Sequence, residues 1–280
     1  MGTLQIETMS REQIDFAVDL AAAEGWNPGL DDAECFYRSD PEGFLLGRLD
    51  RRPIGCISAT SYQGLFGFIG FYIVIPELRG KGYGIQLWRA AMKRLEGHNI
   101  GLDGVVDQQA NYAKSGFQLA YRNIRYEGTK HESARDQRSI PIHAHHLDQV
   151  EAIDRRLFPA RRTAFLKAWL AYPGASARGT FDGDAMTAFG VIRPCRQGYK
   201  IGPLYAEDDP TAEQLIDDLI ADIPVDKPYY LDTPETNAAA VDLAERRGMR
   251  KVFETARMYT QDKPNIAVEK IYGVTTFELG

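Results

Sequence analysis

Apolar and polar positions along the chain follow a pattern that occurs twice, once in each half. Residues 4–26 and residues 140–158 each predict a short strand followed by an amphipathic helix. In the first of these helices, Ser10 precedes Gln13 by three residues, which is the spacing of an N-terminal capping box. Each half continues with two apolar runs separated by a turn, which predict β-hairpins at residues 43–62 and 177–192.

The clearest repetition lies near the end of each half. Residues 101–126 and 230–259 each predict a strand, a short helix, and a last strand that ends in an arginine and a tyrosine, as Arg-Tyr in the first and Arg-Met-Tyr in the second. Gly116 and Gly248 stand where the two short helices end, in the position where left-handed backbone geometry favours glycine. The pattern therefore predicts two α/β units of similar plan, each with a mixed sheet and flanking helices.

A polar stretch without periodicity separates the two units. It predicts a linker at residues 128–138, a first domain at 1–127 and a second at 139–280. The first unit has no closing strand of its own before the linker, whereas a strand-like segment, KIYGVTTFEL, remains at residues 270–279. We expect this segment to pack between the units or to pair with one of their open edges, although it could also only complete the second unit's sheet.

Composition restricts the class of protein. The 280 residues are 44% hydrophobic and 26% charged, which is typical of a soluble globular chain with a sizeable core. The formal net charge of −6 argues against nucleic acid as a partner and favours a neutral or cationic one. No segment has the apolar length of a membrane span or the pattern of a signal peptide, so we expect no membrane partner. Three widely spaced cysteines form no disulfide framework, which favours a cytoplasmic protein: Cys35, Cys56 and Cys195.

One short stretch carries a chemical signal. Residues 78–88, LRGKGYGIQLW, contain three glycines within five positions, together with Arg79 and Lys81, just before a predicted helix that begins near Ile85. A helix N-terminus presents unpaired N–H groups, and glycines let an anion approach them closely. The stretch therefore predicts a phosphate or pyrophosphate site. Its spacing fits neither a P-loop nor the dinucleotide fingerprint G-x-G-x-x-G.

The same stretch resembles a known loop. Arg79–Gly84, RGKGYG, is similar to the R/Q-x-x-G-x-G/A loop with which the GNAT acetyltransferase superfamily grips the pyrophosphate of acetyl-CoA. Downstream, Tyr112–Phe117, YAKSGF, resembles that family's Y-x-K-x-G-F element. The resemblance covers roughly residues 3–127, and the second half resembles the family mainly in layout. It implies a tandem of two GNAT-like units, each with a central mixed, mostly antiparallel sheet flanked by helices.

The resemblance assigns roles to residues of the first unit. It places the cosubstrate acetyl-CoA at Arg79, Gly80, Lys81, Gly82, Tyr83 and Gly84. It also implies that Tyr112 protonates the departing thiolate, the alternative being a tyrosine that only caps a helix against the core. A backbone N–H group of the fourth strand would bind the thioester oxygen, at Ile73, Val74 or Ile75.

A general base is harder to assign. Asp103 has a counterpart, Asp232, in the other half, and this recurrence favours a structural role for both. Asp107 has no counterpart and is the preferred candidate, although many members of the family use water chains instead of a dedicated base.

The two halves differ at the positions that bind cosubstrate in the family. Val105 stands where the family commonly has an asparagine, whereas the second half has Asn237 there but Ala244 in place of the tyrosine. The second half also has four acidic residues and no glycine at residues 207–215, where the phosphate loop would lie. We therefore expect only the first unit to bind CoA.

An acceptor site is expected at the turn between the first two helices, residues 25–34. If this turn is more than a connection, its acidic residues favour a cationic amine, and the candidates are Trp26, Asp31, Asp32 and Glu34. The sequence HAHH at 143–146 lacks a supporting cysteine or carboxylate pattern, so we predict no metal site.

The function expected from these features is an acetyl-CoA-dependent N-acetyltransferase that acts on a primary amine, most simply a small molecule. Two alternatives remain: a non-catalytic acyl-CoA sensor on the same scaffold, and an enzyme that acetylates the amines of proteins. Tyr112 distinguishes the enzyme from the first alternative and favours the enzyme, because a sensor needs no proton donor near the sulfur. The sequence does not determine the oligomeric state.

Overall fold

The computed structural model describes residues 4–131 and 137–280. In the first half the strands are β1 Leu4–Thr8, β2 Phe44–Leu49, β3 Arg52–Tyr62, β4 Phe66–Val74, β5 Asn99–Val105 and β6 Gln118–Thr129. The helices of this half are α1 Arg11–Ala23, α2 Asp32–Ser39, α3 Tyr83–Arg94 and α4 Gln109–Ala113.

The second half repeats this order of elements. Its strands are β7 Ile140–Pro141, β8 Ser176–Asp182, β9 Ala185–Pro194, β10 Tyr199–Tyr205, β11 Pro228–Pro234, β12 Arg250–Tyr259 and β13 Ile271–Gly273. Its helices are α5 Leu147–Leu157, α6 Thr163–Leu170, α7 Asp209–Ala221 and α8 Ala238–Arg246. Of the predicted linker, residues 128 and 129 belong to β6, and residues 132–136 lie outside the described residues.

Local sequence signals account for several of these boundaries. The backbone N–H of Ser10 donates to the side chain of Gln13 at 2.8 Å, as the capping-box spacing predicts. Gly116 and Gly248 have φ of +90° and +70°, which confirms the left-handed geometry expected where α4 and α8 end. The hairpin of β2 and β3 turns through two residues with positive φ, as such short turns require.

The strands of both halves form one continuous sheet. Its order is β1-β2-β3-β4-β5-β12-β6-β11-β10-β9-β8-β7, and β13 pairs with β10 beside this path. Strand β12 of the second half lies between β5 and β6 and is antiparallel to both. Strand β6 of the first half in turn pairs with β11 of the second. Each half therefore contributes a strand to the sheet of the other, and the closing strand that the first unit lacks is β12.

Buried ion pairs fix this exchange of strands. Arg125 on β6 donates two hydrogen bonds, of 2.6 and 2.7 Å, to Asp232 on β11. Arg257 on β12 does the same to Asp103 on β5, at 2.8 and 2.5 Å. The recurrence of these two aspartates is therefore structural, as the sequence indicates. Removing one partner of such a pair leaves a buried charge uncompensated, at a cost of about 3–5 kcal/mol.

Helices cover both faces of the first half's sheet. Consecutive residues of β3 point to opposite faces: Cys56 packs in the cluster that contains α1 and α2, and Ile57 in the cluster that contains α3. The first of these clusters continues into the second half, so one apolar core joins the two units. Its large members from both halves are Phe36, Phe44, Phe71, Phe165, Trp169, Phe189 and Phe277.

Two parallel strand pairs separate along their length. Strands β4 and β5 pair only from Phe66 to Ile69, and beyond that point a cleft opens between them. Strands β10 and β11 pair only from Tyr199 to Ile201. In this second opening β13 pairs with β10, and the chain then continues as a buried tail, residues 274–280, toward the first half. Both expectations for the C-terminal segment hold in part, because β13 completes the sheet of the second half and residues 274–280 pack against the first half.

In residues 4–131 and 137–280, no helix combines the length and the apolar character that crossing a bilayer requires.

Candidate active site

The cleft between β4 and β5 contains a cavity of about 470 Å³. It extends from the N-terminus of α3 to the buried tail of the second half. The residues that line it are Glu24, Trp26, Ile69, Gly70, Phe71, Tyr72, Ile73, Val74, Arg79, Gly80, Gly84, Trp88, Leu102, Asp103, Gly104, Val105, Gln108, Tyr112, Phe253, Thr255, Phe277 and Glu278. The predicted phosphate loop and Tyr112 therefore meet in one cavity.

A β-bulge shapes the wall that β4 contributes. Phe71 has φ of +48°, and the pairing of β3 with β4 shifts at this point. The Cys56 thiol donates to the Phe71 carbonyl at 3.2 Å. Further along, the N–H of Ile75 donates to Ile54 on β3 at 2.9 Å. Because successive N–H groups of a strand point to opposite edges, the N–H of Val74 points toward the cleft.

The glycine loop has the geometry of an anion cradle. Gly80 and Gly82 have φ of +74° and +82°, and Gly82 is the N-cap of α3. A Cβ built at either position meets no atom within 4 Å, so the space above both glycines is open. Helix α3 begins at Tyr83, two residues earlier than the sequence predicts, and the N-terminus of a helix presents unpaired N–H groups. The loop therefore fits a pyrophosphate.

Arg79 closes one end of the cavity. Its Nε donates to the Val74 carbonyl at 2.8 Å, and its guanidinium forms an ion pair with Glu24, just after α1. Lys81 is exposed on the loop. The two cations expected to bind phosphate thus lie on either side of Gly80, one held against β4 and the other in solvent.

Tyr112 packs into the cavity wall. Its ring lies 5.5 Å from that of Trp88, and a Cβ on Gly104 would come within 2.2 Å of it. Burial raises the pKa of the Tyr112 phenol to about 12, with Tyr72 adding to the increase. The phenol therefore keeps its proton at neutral pH, as a proton donor requires. Asp107 is exposed on the turn after β5 and does not line the cavity.

The three acidic residues predicted for the acceptor site lie away from the cavity, whereas Trp26 lines it. Asp32 is fully buried in an ion pair with Arg193 of the second half, with hydrogen bonds of 2.8 and 3.2 Å. Glu34 forms ion pairs with two arginines of its own half. Asp31 is exposed. The structure thus brings only the tryptophan of this predicted acceptor group to the cavity.

The second half supplies part of the cavity that the sequence does not predict. Phe253 and Thr255 come from β12, and Phe277 and Glu278 come from the tail. The sequence signals a strand in the tail but contains no feature that places it at this cavity. Its position depends on the strand exchange and on the opening between β10 and β11.

The equivalent opening of the second half is filled by the chain itself. The side-chain amide of Asn237, the residue at the family's pantetheine-binding position, donates to the Glu269 and Ile271 carbonyls at 3.0 and 2.9 Å. A Cβ on Gly202 would lie 2.5 Å from the Thr275 carbonyl oxygen, so the tail packs directly against β10. Residues 269–275 therefore occupy the space that the cleft between β4 and β5 leaves open in the first half.

Three histidines form a separate cluster near the start of α5. His143, His145 and His146 place their ring centroids 3.9–6.1 Å apart. In the described part of the chain, no three histidine, cysteine or acidic side chains are grouped in a way that could hold a metal ion.

Comparisons with known proteins give a consistent result for both halves. The acetyltransferase (GNAT) family matches residues 7–117, and an acetyltransferase (GNAT) domain matches residues 150–273. The holothin acyltransferase of Pseudoalteromonas sp. (strain SANK 73390) is 31% identical over 272 residues, which cover 97% of this chain and 92% of that protein.

Solved structures share the complete fold. A putative acetyltransferase from Pyrococcus horikoshii has a TM-score of 0.84 at 22% identity, covering 99% of this chain and 96% of the other. A tandem GNAT protein from the clavulanic acid biosynthesis pathway has a TM-score of 0.63 at 12% identity, covering 93% and 100%.

The fold and the relatives define an enzyme that transfers acyl groups. The chain belongs to the GNAT acetyltransferase family, with two GNAT domains in tandem.

Proposed function

We propose that this protein is an acetyl-CoA-dependent N-acetyltransferase whose first unit transfers the acetyl group to the primary amine of a small molecule. The observation that carries the proposal is the single cavity that joins the glycine loop of α3 to Tyr112. The second unit, whose own opening is filled by the tail, acts as a degenerate partner that completes this cavity. We retain the domain limits of 1–127 and 139–280, although the sheet continues across them.

In the proposed complex, acetyl-CoA enters the cleft with its pyrophosphate at the glycine loop. The pyrophosphate lies at the N-terminus of α3, where Gly80, Gly82 and the exposed Lys81 surround open space. The pantetheine arm then runs between β4 and β5, along the β4 edge that has no partner strand beyond Ile69. Val105 replaces the family's asparagine at this arm, so the contacts here are made by backbone and apolar groups.

The chemistry needs two groups of the first unit. The N–H of Val74 points toward the cleft and stabilises the thioester oxygen as it gains negative charge. Tyr112 gives its phenolic proton to the sulfur as the thiolate departs. Ile73 and Ile75 are the two positions predicted together with Val74. The N–H of Ile75 already donates to Ile54 on β3. Ile73 lies two residues before Ile75, so its N–H points to the same edge of the strand, away from the cleft. Val74 is therefore the preferred donor.

The acceptor side of the cavity favours a small amine with an apolar body. Its walls carry the aromatic rings of Trp26, Phe71, Phe253 and Phe277, which favour an apolar body, and the whole cavity, acyl-donor cleft included, measures about 470 Å³. The relative named holothin acyltransferase is named for the same class of reaction.

A thiol-release assay tests this function. Acetyl-CoA is incubated with benzylamine, tryptamine, spermidine and a lysine-containing peptide, and each product is identified by mass. We expect release of CoA with the small amines and a product heavier by one acetyl group. Tight CoA binding with no turnover of any amine would instead support the sensor, and turnover of the peptide alone would support a protein acetyltransferase.

A further inference from the structure

The tail of the second half is fixed at the cavity of the first. The Tyr62 hydroxyl donates to the Leu279 carbonyl at 3.0 Å, and Arg162 donates to an oxygen of Gly280 at 3.2 Å. Gly70 on β4 lies directly against the tail, since a Cβ there would stand 2.2 Å from the Glu278 carbonyl oxygen. These contacts hold the backbone of Glu278 at the β4 wall of the cleft.

Glu278 differs from the other carboxylates that line the cavity. Glu24 is paired with Arg79, and Asp103 is paired with Arg257. The Glu278 side chain accepts a hydrogen bond from the Thr276 hydroxyl through Oε2. Among the described residues, its Oε1 has no hydrogen-bond donor, and the residue is only 3% exposed. Glu278 therefore presents an acceptor oxygen to an enclosed, aromatic-walled space.

A buried charge cluster surrounds this carboxylate. Its three acids and three bases balance one another, and they are Asp32, Asp232, Glu278, Arg125, Arg193 and Lys200. Lys200 is 1% exposed, and its Nζ has no hydrogen-bond partner in the described part of the chain. The three cations of the cluster stabilise the ionised form of the Glu278 carboxyl and so oppose the desolvation that burial imposes on it.

We propose that Glu278 is the carboxylate that receives the acceptor amine in the first unit's cavity and takes its proton. This inference rests on the proposed function and adds to it a catalytic residue that the second half supplies. The roles of the two halves are then complementary: the first holds the acyl donor, and the second provides the base for the acceptor.

Two proton transfers accompany the transfer of the acetyl group. The amine nitrogen forms the C–N bond to the thioester carbon, and one of its N–H protons passes to the Glu278 carboxylate. The C–S bond breaks with its electron pair on sulfur, and the sulfur takes the phenolic proton of Tyr112. The proton on Glu278 then returns to the Tyr112 phenolate through solvent, so both residues regain their starting states.

The electrostatics of the site give this base a characteristic pH dependence. Burial raises the pKa of the Glu278 carboxyl above its usual range, and Asp32 adds to the increase, while Lys200, Arg125 and Arg193 oppose it. Below this raised pKa the carboxyl is neutral and cannot accept the proton. The value of kcat therefore rises with pH as Glu278 ionises, above the pH at which an exposed glutamate would already be charged.

The Glu278→Gln variant tests the proposal with nearly unchanged side-chain volume. With acetyl-CoA and the fastest amine of the panel above, we expect kcat to fall roughly 10²-fold or more and its acidic limb to disappear. CoA affinity, measured by calorimetry, should stay within about twofold of wild type. Glu269→Gln, the same substitution at an exposed position before the tail, serves as the control and should keep the wild-type pH profile.

Chemical rescue separates catalysis from a structural role. In Glu278→Ala, sodium formate can enter the vacated space and supply a carboxylate, so we expect it to restore part of kcat. Wild-type kcat and pH profile in Glu278→Gln would overturn the proposal, and so would parallel loss of CoA binding together with no rescue by formate. If wild type itself acetylates no amine, the proposed function fails, which is a distinct result.

Discussion

At the level of single residues, the active site combines groups with opposite protonation requirements. Burial raises the pKa of Tyr112 to about 12, so this phenol holds its proton at neutral pH, as its proposed role of acid requires. Burial also raises the pKa of Glu278, but the surrounding cations oppose that increase. The two environments fit the proposal that the first half supplies the acid and the second half the base.

Replacing Tyr112 tests the acid. In Tyr112→Phe the ring still packs on Trp88, but no proton reaches the sulfur, so we expect kcat to fall roughly 10²-fold while CoA affinity holds. Steady-state kinetics and calorimetry measure the two quantities. Tyr126→Phe, at a buried tyrosine in the second unit's core, is the matched control and should retain kcat. An unchanged kcat in Tyr112→Phe would show that this tyrosine contributes packing and not the proton.

The two residues also differ in how visible they are in the sequence. Tyr112 stands four positions before a glycine that ends a helix, and this local spacing is sufficient to find it. Glu278 is a lone acidic residue near the end of a strand-like segment, a pattern that many surface strands share. Its burial depends on contacts with Gly70 and Tyr62, more than 200 residues earlier in the chain, and no local pattern records these contacts.

At the level of elements, the loop before α3 is the part of the site that the sequence predicts best. The glycines and the following apolar periodicity identify both the turn and the helix, because each is a local property. The bulge in β4 is different, since Phe71 favours regular strand and takes a positive φ only within its pairing to β3. Local propensity predicts the strand but not its distortion.

The Gly82→Val variant tests the anion site at this loop. Valine at φ of +82° strains the backbone and places a branched side chain in the open space, so we expect CoA affinity to fall at least ~tenfold, or ~1.4 kcal/mol. Gly97, just beyond the other end of α3, has φ of +85° and equally open surroundings. Gly97→Val therefore carries similar strain and should bind CoA normally in calorimetry. Equal CoA affinity in both variants would contradict the proposal that this loop binds the pyrophosphate.

At the level of the whole molecule, the tail connects the two openings of the sheet. The tail fills the opening between β10 and β11 and forms a wall of the opening between β4 and β5. A displacement of the tail at β10 should therefore also move the residues that line the cavity. The sequence predicts the two units, but of the strand-like segment at 270–279 only Ile271–Gly273 form a strand, and the exchange of β6 and β12 is not predicted. The alternation of apolar and polar residues in β6 and in β12 is the same whichever strand each pairs with. Only tertiary contacts, such as the ion pairs of Arg125 and Arg257, determine the partner strand.

The Gly202→Ala variant tests this connection. Its methyl group would overlap the Thr275 carbonyl, so we expect a loss of about 1–3 kcal/mol in the free energy of unfolding. We also expect kcat to fall at least ~tenfold, because the shift displaces Glu278 three residues later. Gly190→Ala, also in the second half, meets the mobile ends of Leu204 and Leu219 instead. This control should lose stability but keep kcat, and equal kcat in both variants would argue against the connection.

The strand exchange also determines when the active site can exist during synthesis. Thr129 ends β6 and Arg250 begins β12, about 120 residues later, and Glu278 follows later still. A ribosome that adds ~5–20 residues per second needs roughly 6–24 s for that stretch. During this time the edges of β5 and β6 that β12 later covers are unpaired in the nascent chain, and such edges invite wrong pairing. The first half thus emerges with the glycine loop before α3 complete, but its sheet closes only after the second half has been made.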